Sequence, residues 1–229
     1  MPKFSVVIPT RNRPEYLKEA CNSVLGQSHS DLELLIVNDG DEFSIKIDDR
    51  RIRILDNNKC GAVQARNLGV SQASGQFIAF LDDDDFWTDR AHLEKAGSAL
   101  GAKADFYFAD GEMIFPDRTI KPFAHNATAE SLEHDNTILI SAVCYKRSVH
   151  EKLGRFDEAL PYYWDWDWYL RVSRGGFQFL HQTDLAVRIR VHPQNMSGGN
   201  NDARRANLDL MIAKHKLGEI PLKNHTDFV

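Results

Sequence analysis

An apolar run that ends in four consecutive aspartates constrains this chain more than any other feature. Residues 76–87 read QFIAFLDDDDFW. The segment 77–81 has the near-continuous apolar character of a strand buried on both faces of a parallel sheet. The aspartates at 82–85 would then lie at the carboxyl end of that strand, where open α/β sheets bind their ligands.

Four adjacent carboxylates repel one another, and no basic residue stands within the run. A hard divalent cation such as Mg²⁺ or Mn²⁺ would neutralise them, because these ions prefer carboxylate oxygens and often bridge them to substrate phosphates. The alternative is a solvated acidic turn, which is common for acidic runs. A buried strand leading directly into the run favours a binding site.

Strand-like and helix-like segments alternate over the first 110 residues, as in a doubly wound α/β sheet. Predicted strands lie at 4–9, 32–37, 52–55, 77–81 and 105–109, and predicted helices at 15–27, 62–73 and 89–100. The second half suggests a hairpin at 113–123, strands at 138–145 and 185–192, and helices at 149–154 and 202–217, with an aromatic segment at 162–171 and an apolar one at 177–180. We therefore expect one α/β domain over 1–229, with a mainly parallel sheet and a smaller mixed or antiparallel C-terminal part.

Composition narrows the class of protein. A net charge of −5 over 229 residues disfavours a nucleic-acid binder, which usually carries a strongly basic face. The three cysteines are widely spaced and form no CxxC pattern, which fits a reducing cytoplasm. No apolar run approaches the ~20 residues of a membrane span. We expect a cytoplasmic protein, with peripheral contact at the inner face of the membrane left open.

Three polar strand ends should open onto one rim of the sheet, because parallel neighbours end at the same edge. They are residues 9–12, 38–40 and 82–85. Neither the GxGxxG fingerprint nor the GxxxxGK[ST] loop is present, which disfavours a dehydrogenase or a P-loop enzyme. A metal on the aspartates is then the natural means of holding a phosphate.

Five segments together resemble the ordered motifs of family 2 glycosyltransferases of the GT-A fold, a Rossmann-like α/β fold. They are FSVVIPTRNR (4–13), LLIVNDG (34–40), GAVQARNLG (61–69), GQFIAFLDDDDFW (75–87) and WDWDWYLR (164–171). Each motif alone is moderately specific, but five in order are very specific. The resemblance covers roughly residues 4–195.

The resemblance implies a donor site on the first half of the chain. Asp39 matches the aspartate that reads the nucleotide base, and Arg66 matches a residue near the donor. The loop that lines base and ribose matches Pro9, Thr10 and Arg11. Without the resemblance, Asp39 and this loop would be read as a strand-terminating turn and Arg66 as an exposed helix arginine.

The aspartate run matches the DxD motif of the family. Asp82 and Asp83 are then expected against the donor, with Asp84 and Asp82 as candidate ligands of Mn²⁺ or Mg²⁺. Strand periodicity places Arg188, Arg190 and His192 on one face. His192 lies in a segment resembling one whose histidine completes the metal shell, although a lone strand histidine is more often structural.

The WDWDWYLR segment resembles the acceptor motif, in which an aspartate following a glutamate is the general base. That position is Asp165, but Trp164 replaces the glutamate, so Asp167 stays open as the alternative. Outside catalysis, Asp165 would be a helix N-cap and Asp167 a first-turn acid favoured by the helix dipole.

Two further expectations concern the aromatic residues around Asp165 and the loop that follows His192. The aromatic side chains around Asp165 form either a platform for an acceptor sugar or ordinary core and dimer packing; they are Tyr162, Tyr163, Trp164, Trp166 and Trp168. The glycine- and asparagine-rich loop 194–202 is a candidate lid that orders on donor binding.

Taken with the resemblance, the sequence predicts an inverting, metal-dependent glycosyltransferase. Residues 1–110 would bind a nucleotide-diphosphate sugar, with UDP-sugars favoured, and residues 111–229 a sugar or glycolipid acceptor, in surface polysaccharide or glycolipid synthesis. Two alternatives stay open: a sugar-1-phosphate nucleotidyltransferase, disfavoured by the lack of a glycine-rich basic loop after the first strand, and a catalytically silent nucleotide- or glycan-binding module. A homodimer is compatible with the many aromatic residues of the second half.

Overall fold

A computed structural model describes residues 3–41, 47–193, 195 and 201–229. The strands are β1 (Phe4–Thr10), β2 (Leu32–Asn38), β3 (Ile52–Asp56), β4 (Phe77–Phe80), β5 (Phe86–Trp87), β6 (Phe106–Ile114), β7 (Ile120–Phe123), β8 (Val143–Lys146) and β9 (Phe179–Arg190). The helices are α1 (Pro14–Leu25), α2 (Ala62–Gln72), α3 (His92–Gly101), α4 (Arg147–Leu153), α5 (Trp164–Arg174) and α6 (Asn201–His215). Short 3₁₀ turns occur at Ser131–Glu133, Ile140–Ala142 and His225–Phe228.

All nine of these strands join one sheet in the order β3-β2-β1-β4-β8-β6-β9-β5, with β7 paired to β6. Strands β1 to β4 pair in parallel, and so do β6 and β9. Strand β8 runs antiparallel to both β4 and β6, and the short β5 runs antiparallel to β9. The prediction of a mainly parallel α/β sheet with a smaller antiparallel part is confirmed.

The first strands are buried on both faces because helices cover both sides of the sheet. Side chains alternate across β1, so Val6 and Ile8 pack with α1 while Val7 packs with α2. Gly69 lets α2 approach closely, since a Cβ there would lie 2.4 Å from Cγ1 of Val7. This packing fixes the carboxyl ends of β1, β2 and β4 side by side.

Two strand predictions in the second half are wrong in detail. Residues 138–145 do not form a single strand, because Ile140–Ala142 is a 3₁₀ turn that precedes the short β8. The strand predicted at 185–192 is the second part of a longer strand, β9, which begins at Phe179 and pairs with β6 through a register shift next to Asp110. Strand β9 ends at Arg190, so His192 lies just beyond it.

Other expectations for the second half are confirmed. The hairpin at 113–123 forms between β6 and β7. Helix α4 ends before Gly154, whose φ of 83° is a conformation that favours glycine. The candidate lid at 194–202 lies outside the described residues except for Asn195 and the first residues of α6.

Candidate active site

A cleft of about 660 Å³ opens at the carboxyl ends of β1, β2 and β4. One side is built from the strand ends and the start of α2, and the other from the N-terminal turn of α5, from α6 and from the C-terminal segment, defined here as residues 218–229. The predicted site residues that line it are Pro9, Thr10, Arg11, Asp39, Arg66, Asp82, Asp83, Asp84 and Asp165. The topology thus brings together residues from both halves of the chain.

Asp39 is buried at the end of β2 and is held in place by hydrogen bonds. Its Oδ1 accepts from Nδ2 of Asn57 at 2.6 Å and from the backbone N–H of Gly61 at 2.9 Å. Its own N–H donates to the carbonyl of Thr10 at 2.8 Å, which ties the ends of β1 and β2 together. Asp39 also lines the cleft, where its carboxylate could accept from a ligand.

Asp83 joins the end of β1 to the aspartate run. Its Oδ2 accepts from Oγ1 of Thr10 at 2.7 Å and from the backbone N–H of Arg11 at 3.3 Å. Arg13 approaches Oδ1 of Asp83 at 3.2 Å and also contacts Asp84. Burial and the charge of Asp84 nevertheless raise the pKa of Asp83 to about 6.

Arg66 is buried in the first turns of α2, and its guanidinium contacts the carboxylate of Asp82. The same guanidinium lies 4.4 Å from the ring centroid of Trp164, a cation–π contact with the first residue of α5. Arg66 is therefore neither exposed nor confined to the donor side. It links the aspartate run to the helix that carries Asp165.

Three carboxylates form a candidate metal site: Asp82, Asp84 and Asp85 each offer an oxygen within 4.8 Å of the others. Burial and the charges of its two partners raise the pKa of Asp85 well above the ordinary value. Hard oxygen donors at this spacing suit Mg²⁺ or Mn²⁺, and a dication would supply the positive charge that the cluster demands. The residues present therefore fit the expected metal.

The 3₁₀ turn that replaced a predicted strand supports this cluster. Oγ of Ser141 donates to Asp85 at 2.6 Å and accepts from the N–H of Asp82 at 3.1 Å. From the other side, the N–H of Arg190 donates to Asp85 at 3.2 Å, and the guanidinium of Arg190 contacts the carbonyl of Asp84. The aspartate run is thus rigidly positioned rather than a loose solvated turn.

The sequence predicts that Arg188, Arg190 and His192 share one face of a strand, but the structure places them in different surroundings. His192 reaches the aspartate run, with Nε2 3.0 Å from Oδ2 of Asp84, next to the candidate metal site. Arg190 lines the cleft, whereas Arg188 is engaged by Glu112 at 2.6 Å and does not line it. Of the three, only Arg190 and His192 therefore contact the aspartate run.

Asp165 occupies the first turn of α5 but is not its N-cap, because the helix begins at Trp164. Its Oδ2 accepts from Nδ2 of Asn136 at 2.9 Å. Burial raises its pKa, opposed by His225 and by the hydrogen bond from Asn136. A carboxylate with a raised pKa in a cleft is suited to taking a proton from a ligand hydroxyl.

Asp167 does not face the cleft. Three basic side chains surround it: Lys214 at 2.6 Å and His215 at 2.7 Å contact Oδ1, and Arg171 contacts Oδ2 at 2.9 Å. Although burial opposes them, these partners lower its pKa to about 2. The structure therefore separates the two candidates, with Asp165 in the cleft and Asp167 in the contact between α5 and α6.

The aromatic side chains divide in the same way. Those that line the cleft are Tyr162, Tyr163, Trp164 and Trp166, while Trp168 is fully buried against Tyr145, His150 and Phe156. Nε1 of Trp166 donates to the carbonyl of Leu132 at 2.7 Å, which fixes its ring at the cleft. Trp168 is therefore a core residue, and a platform for an acceptor sugar stays a prediction for the four aromatic residues at the cleft.

Several cleft residues were not assigned a role from the sequence. They are Arg13, Asp85, Asn136, Arg204 and His225. Arg13 and Asp85 lie inside the motifs at 4–13 and 75–87, so these motifs were a signal that both residues belong to the site. His225 had only the sequence Asn224-x-x-Asp227 to mark a capped turn, in which the Asn224 N–H donates to Asp227 at 2.7 Å.

The fold and this cleft are those of a GT-A glycosyltransferase. Residues 5–157 match the family model Glycosyl transferase family 2. The chain is 34% identical over 236 residues to the glycosyltransferase YwdF of Bacillus subtilis, covering 97% of this chain and 87% of that protein. The chain therefore belongs to glycosyl transferase family 2.

Solved structures agree on the fold. TarS of S. aureus, residues 1–349 in complex with UDP-GlcNAc, matches with a TM-score of 0.75 at 18% identity. The mannosyltransferase PcManGT of Pyrobaculum calidifontis, in complex with GDP-Man and Mn²⁺, matches with a TM-score of 0.66 at 17% identity. The matches cover 93% and 96% of this chain but 66% of each solved chain. In the part of the chain that the structure describes, no helix has both the length and the apolar character needed to cross a bilayer.

Proposed function

We propose that this chain is an inverting, metal-dependent glycosyltransferase that moves a sugar from a nucleotide-diphosphate donor to an acceptor hydroxyl. The observation that carries the proposal is the placement of Asp165 in the same cleft as the carboxylate cluster of Asp82, Asp84 and Asp85. A base on one side and a leaving-group site on the other are the two requirements of a single displacement with inversion.

The donor would lie along the strand ends. Asp39 would accept from the nucleotide base, and the loop at Pro9, Thr10 and Arg11 would line base and ribose. Donors bound by the structural relatives include UDP-GlcNAc and GDP-Man, so both uridine and guanosine nucleotides are candidates for this chain, with UDP-sugars as our first choice.

Asp82, Asp84 and Asp85 would hold the metal, with His192 as a further ligand beside Asp84. When bound, Mn²⁺ or Mg²⁺ supplies Lewis-acid neutralisation of the diphosphate leaving group. Arg190 and Arg13 would add positive charge at the same edge of the cleft. Arg66, paired with Asp82, would hold the donor side and α5 at a fixed separation.

Asp165 would accept the proton of the acceptor hydroxyl as its oxygen attacks the anomeric carbon. Asn136 holds one carboxylate oxygen by a hydrogen bond, and the carboxylate lies in the cleft, where it could accept from the hydroxyl. The aromatic residues at the start of α5 would pack against the acceptor sugar. We propose a sugar or glycolipid acceptor in surface polysaccharide synthesis, with the enzyme in the cytoplasm and, for a glycolipid, at the inner face of the membrane.

Calorimetric titration of the protein with UDP, GDP, dTDP and CDP, each with Mn²⁺ and with chelator, tests the donor site. We expect one nucleotide to bind in a metal-dependent manner. Binding that ignores metal, or no binding, would contradict the assignment of the aspartate cluster.

Transfer from the matching nucleotide sugar then tests the reaction. NMR of the product should show an anomeric configuration opposite to that of the donor. A protein that binds donor and metal but transfers nothing to any acceptor would be the silent module, and release of pyrophosphate from a nucleoside triphosphate and a sugar 1-phosphate would identify a nucleotidyltransferase.

A further inference from the structure

Arg204 is a buried arginine in the first turn of α6, and it lines the acceptor side of the cleft with an exposed fraction of 3%. Its Nη2 donates to the carbonyl of Lys223 at 2.8 Å, and its Nη1 lies 3.4 Å from Oδ1 of Asn201. Both of these acceptors are neutral. Within residues 3–41, 47–193, 195 and 201–229, no carboxylate lies within 4.0 Å of the Arg204 guanidinium.

This lack of a counter-charge distinguishes Arg204 from the other arginines. Every other described arginine that is buried or half-buried pairs with an aspartate or a glutamate. The remaining described arginines without such a partner are all exposed to solvent; they are Arg11, Arg50, Arg90 and Arg118. A buried charge without a partner of opposite sign is costly, so the position of Arg204 is explained if a ligand brings that partner.

The neighbouring Arg205 shows that holding the C-terminal segment does not require an uncompensated charge. Its Nη1 donates to the carbonyl of Ile220 at 2.8 Å, as Arg204 does to that of Lys223. The guanidinium of Arg205 also pairs with Asp209, and Arg205 does not line the cleft. The two arginines thus support the segment in the same way, but of the two only Arg204 leaves a positive charge at the cleft.

The charge of Arg204 lies on the acceptor side of the cleft. Burial raises the pKa of Tyr163 and lowers that of His225, and the nearby Arg204 opposes the first shift and adds to the second. The ammonium of Lys223 on the same side is already paired with Asp135 at 2.5 Å. The basic side chains of the donor side contact the aspartate run, whereas Arg204 has no contact with that run among the described residues.

We propose that Arg204 binds an oxyanion of the acceptor, so that the acceptor is a glycan or glycolipid carrying a carboxylate or a phosphate. This inference rests on the function proposed above and specifies its acceptor class. A guanidinium has five N–H donors in a planar fork, and the two contacts of Arg204 leave others for a ligand. The fork matches the oxygens of both carboxylate and phosphate, and a neutral sugar hydroxyl would not supply the missing charge.

Saturation-transfer NMR with three sugars tests the proposal: methyl β-glucuronide, glucose 6-phosphate and the neutral methyl β-glucoside. The titrations contain neither nucleotide nor metal, so the result does not depend on the donor site. We expect at least one anionic sugar to bind about tenfold or more tightly than the neutral one, because its hydrogen bonds to Arg204 are charge-assisted. Preference for the glucuronide would identify a carboxylate acceptor, and preference for glucose 6-phosphate a phosphorylated one.

Three variants assign the preference to Arg204. Arg204→Gln should remove it, and Arg204→Lys, which keeps the charge but loses the fork, should keep a part of it. Arg205→Gln is the matched control, because it removes a similar contact to the C-terminal segment outside the cleft, and it should keep the full preference. Melting temperatures confirm that each variant is folded. The Kd of UDP with Mn²⁺ should change by less than about twofold in Arg204→Gln.

Several results would overturn the proposal. They are equal binding of the neutral and anionic sugars, no binding of either anionic sugar, or a preference that persists in Arg204→Gln. Loss of the preference in Arg205→Gln as well would show that both arginines only support the C-terminal segment. A tenfold loss of UDP affinity in Arg204→Gln would show that Arg204 binds the diphosphate of the donor instead.

Asp165→Asn separates this inference from the proposed function. That variant should lose sugar transfer and keep the preference for the anionic sugar, because it leaves Arg204 and its contacts in place. Transfer by Asp165→Asn would contradict the proposed base and leave the anion site standing. Transfer by the parent protein with no preference for an anionic sugar would contradict the anion site alone.

Discussion

Two aspartates two residues apart on α5 have opposite environments. Asp165 lies in the cleft and burial raises its pKa, whereas Asp167 is surrounded by three basic side chains and its pKa falls to about 2. Successive positions on a helix are about 100° apart, so a separation of two places side chains on nearly opposite sides. One helix therefore supplies a group suited to proton transfer and another that joins it to α6.

The difference shows that burial alone does not make a carboxylate reactive. Both carboxylates are buried, yet the partners of Asp167 stabilise its charge and leave it a very weak base. The hydrogen bonds to Asp165 come from neutral groups, the side chain of Asn136 and the backbone of Trp166, and aromatic side chains lie around it at the cleft. The environment with fewer compensating charges is the one that raises the pKa of its carboxyl and so favours proton uptake.

The substitution Asp165→Asn should have the largest effect. It removes the proposed base while keeping size and a hydrogen-bonding group, so we expect transfer to fall by about 10²- to 10⁴-fold. Nucleotide affinity, measured by calorimetry with Mn²⁺, should stay essentially unchanged. Activity close to that of the parent protein would contradict the distinction between the two aspartates.

The substitution Asp84→Asn should have the next largest effect, and this effect should be on nucleotide and metal binding alone. Replacing a charged metal ligand by a neutral amide should weaken Mn²⁺-dependent nucleotide binding by about tenfold to a hundredfold. Asp41→Asn is a matched control, because Asp41 is exposed and outside the carboxylate cluster. Equal affinities for both variants with Mn²⁺ would show that Asp84 does not hold the metal.

Asp167→Asn should change stability rather than chemistry. Removing the charge leaves Arg171, Lys214 and His215 without their shared partner. Because Lys214 is 38% exposed, we expect a loss of about 2–3 kcal/mol in the free energy of unfolding, at or below the range for breaking a fully buried pair. Denaturant melts measure this loss, and kcat per folded molecule should stay close to that of the parent protein.

A part of the fold or of the site could be predicted from the sequence where the residues that determine it lie close together in the chain. The strand ends at Pro9, Asp39 and Asp82 come after buried apolar runs, and parallel neighbours must end at one edge, so local patterns were sufficient. The choice between Asp165 and Asp167 depends on Lys214 and His215, which lie far along the chain. No local pattern records which face of α5 meets α6.

The incorrect strand at 138–145 and the missed C-terminal segment also result from contacts between residues far apart in the chain. Residues 138–145 are apolar enough for a strand, but a 3₁₀ turn places Ser141 where it can bind both Asp82 and Asp85. Local propensity gave way to a tertiary requirement of the site. The C-terminal segment was missed because its residues show neither helix nor strand periodicity, and its position depends on contacts from α6 and the hairpin.

The dependence of stability on acidic pH allows Asp167 to be compared with two buried histidines outside the cleft, His92 and His150. Burial lowers the pKa of His92 and of His150 to about 4, from 6.5, so both are neutral in the folded protein near pH 5. The unfolded chain binds more protons between pH 6.5 and 4, so their contribution is complete above pH 6.5 and is lost as pH falls towards 4. Asp167, with a pKa of about 2 against 3.8, loses its contribution only below that window.

We therefore expect the free energy of unfolding to fall by about 1.4 kcal/mol per pH unit for each of these histidines between about pH 6 and 4.5. The variant His92→Leu removes one proton-binding group from the core, so its slope in this window should be shallower by that amount, whatever its absolute stability. His134→Leu, at an exposed position, should keep the parent slope. Equal slopes for the parent protein and His92→Leu would mean that His92 is already protonated in the folded core. Burial would then not give His92 a different pH dependence from that of Asp167, whose contribution persists in this window.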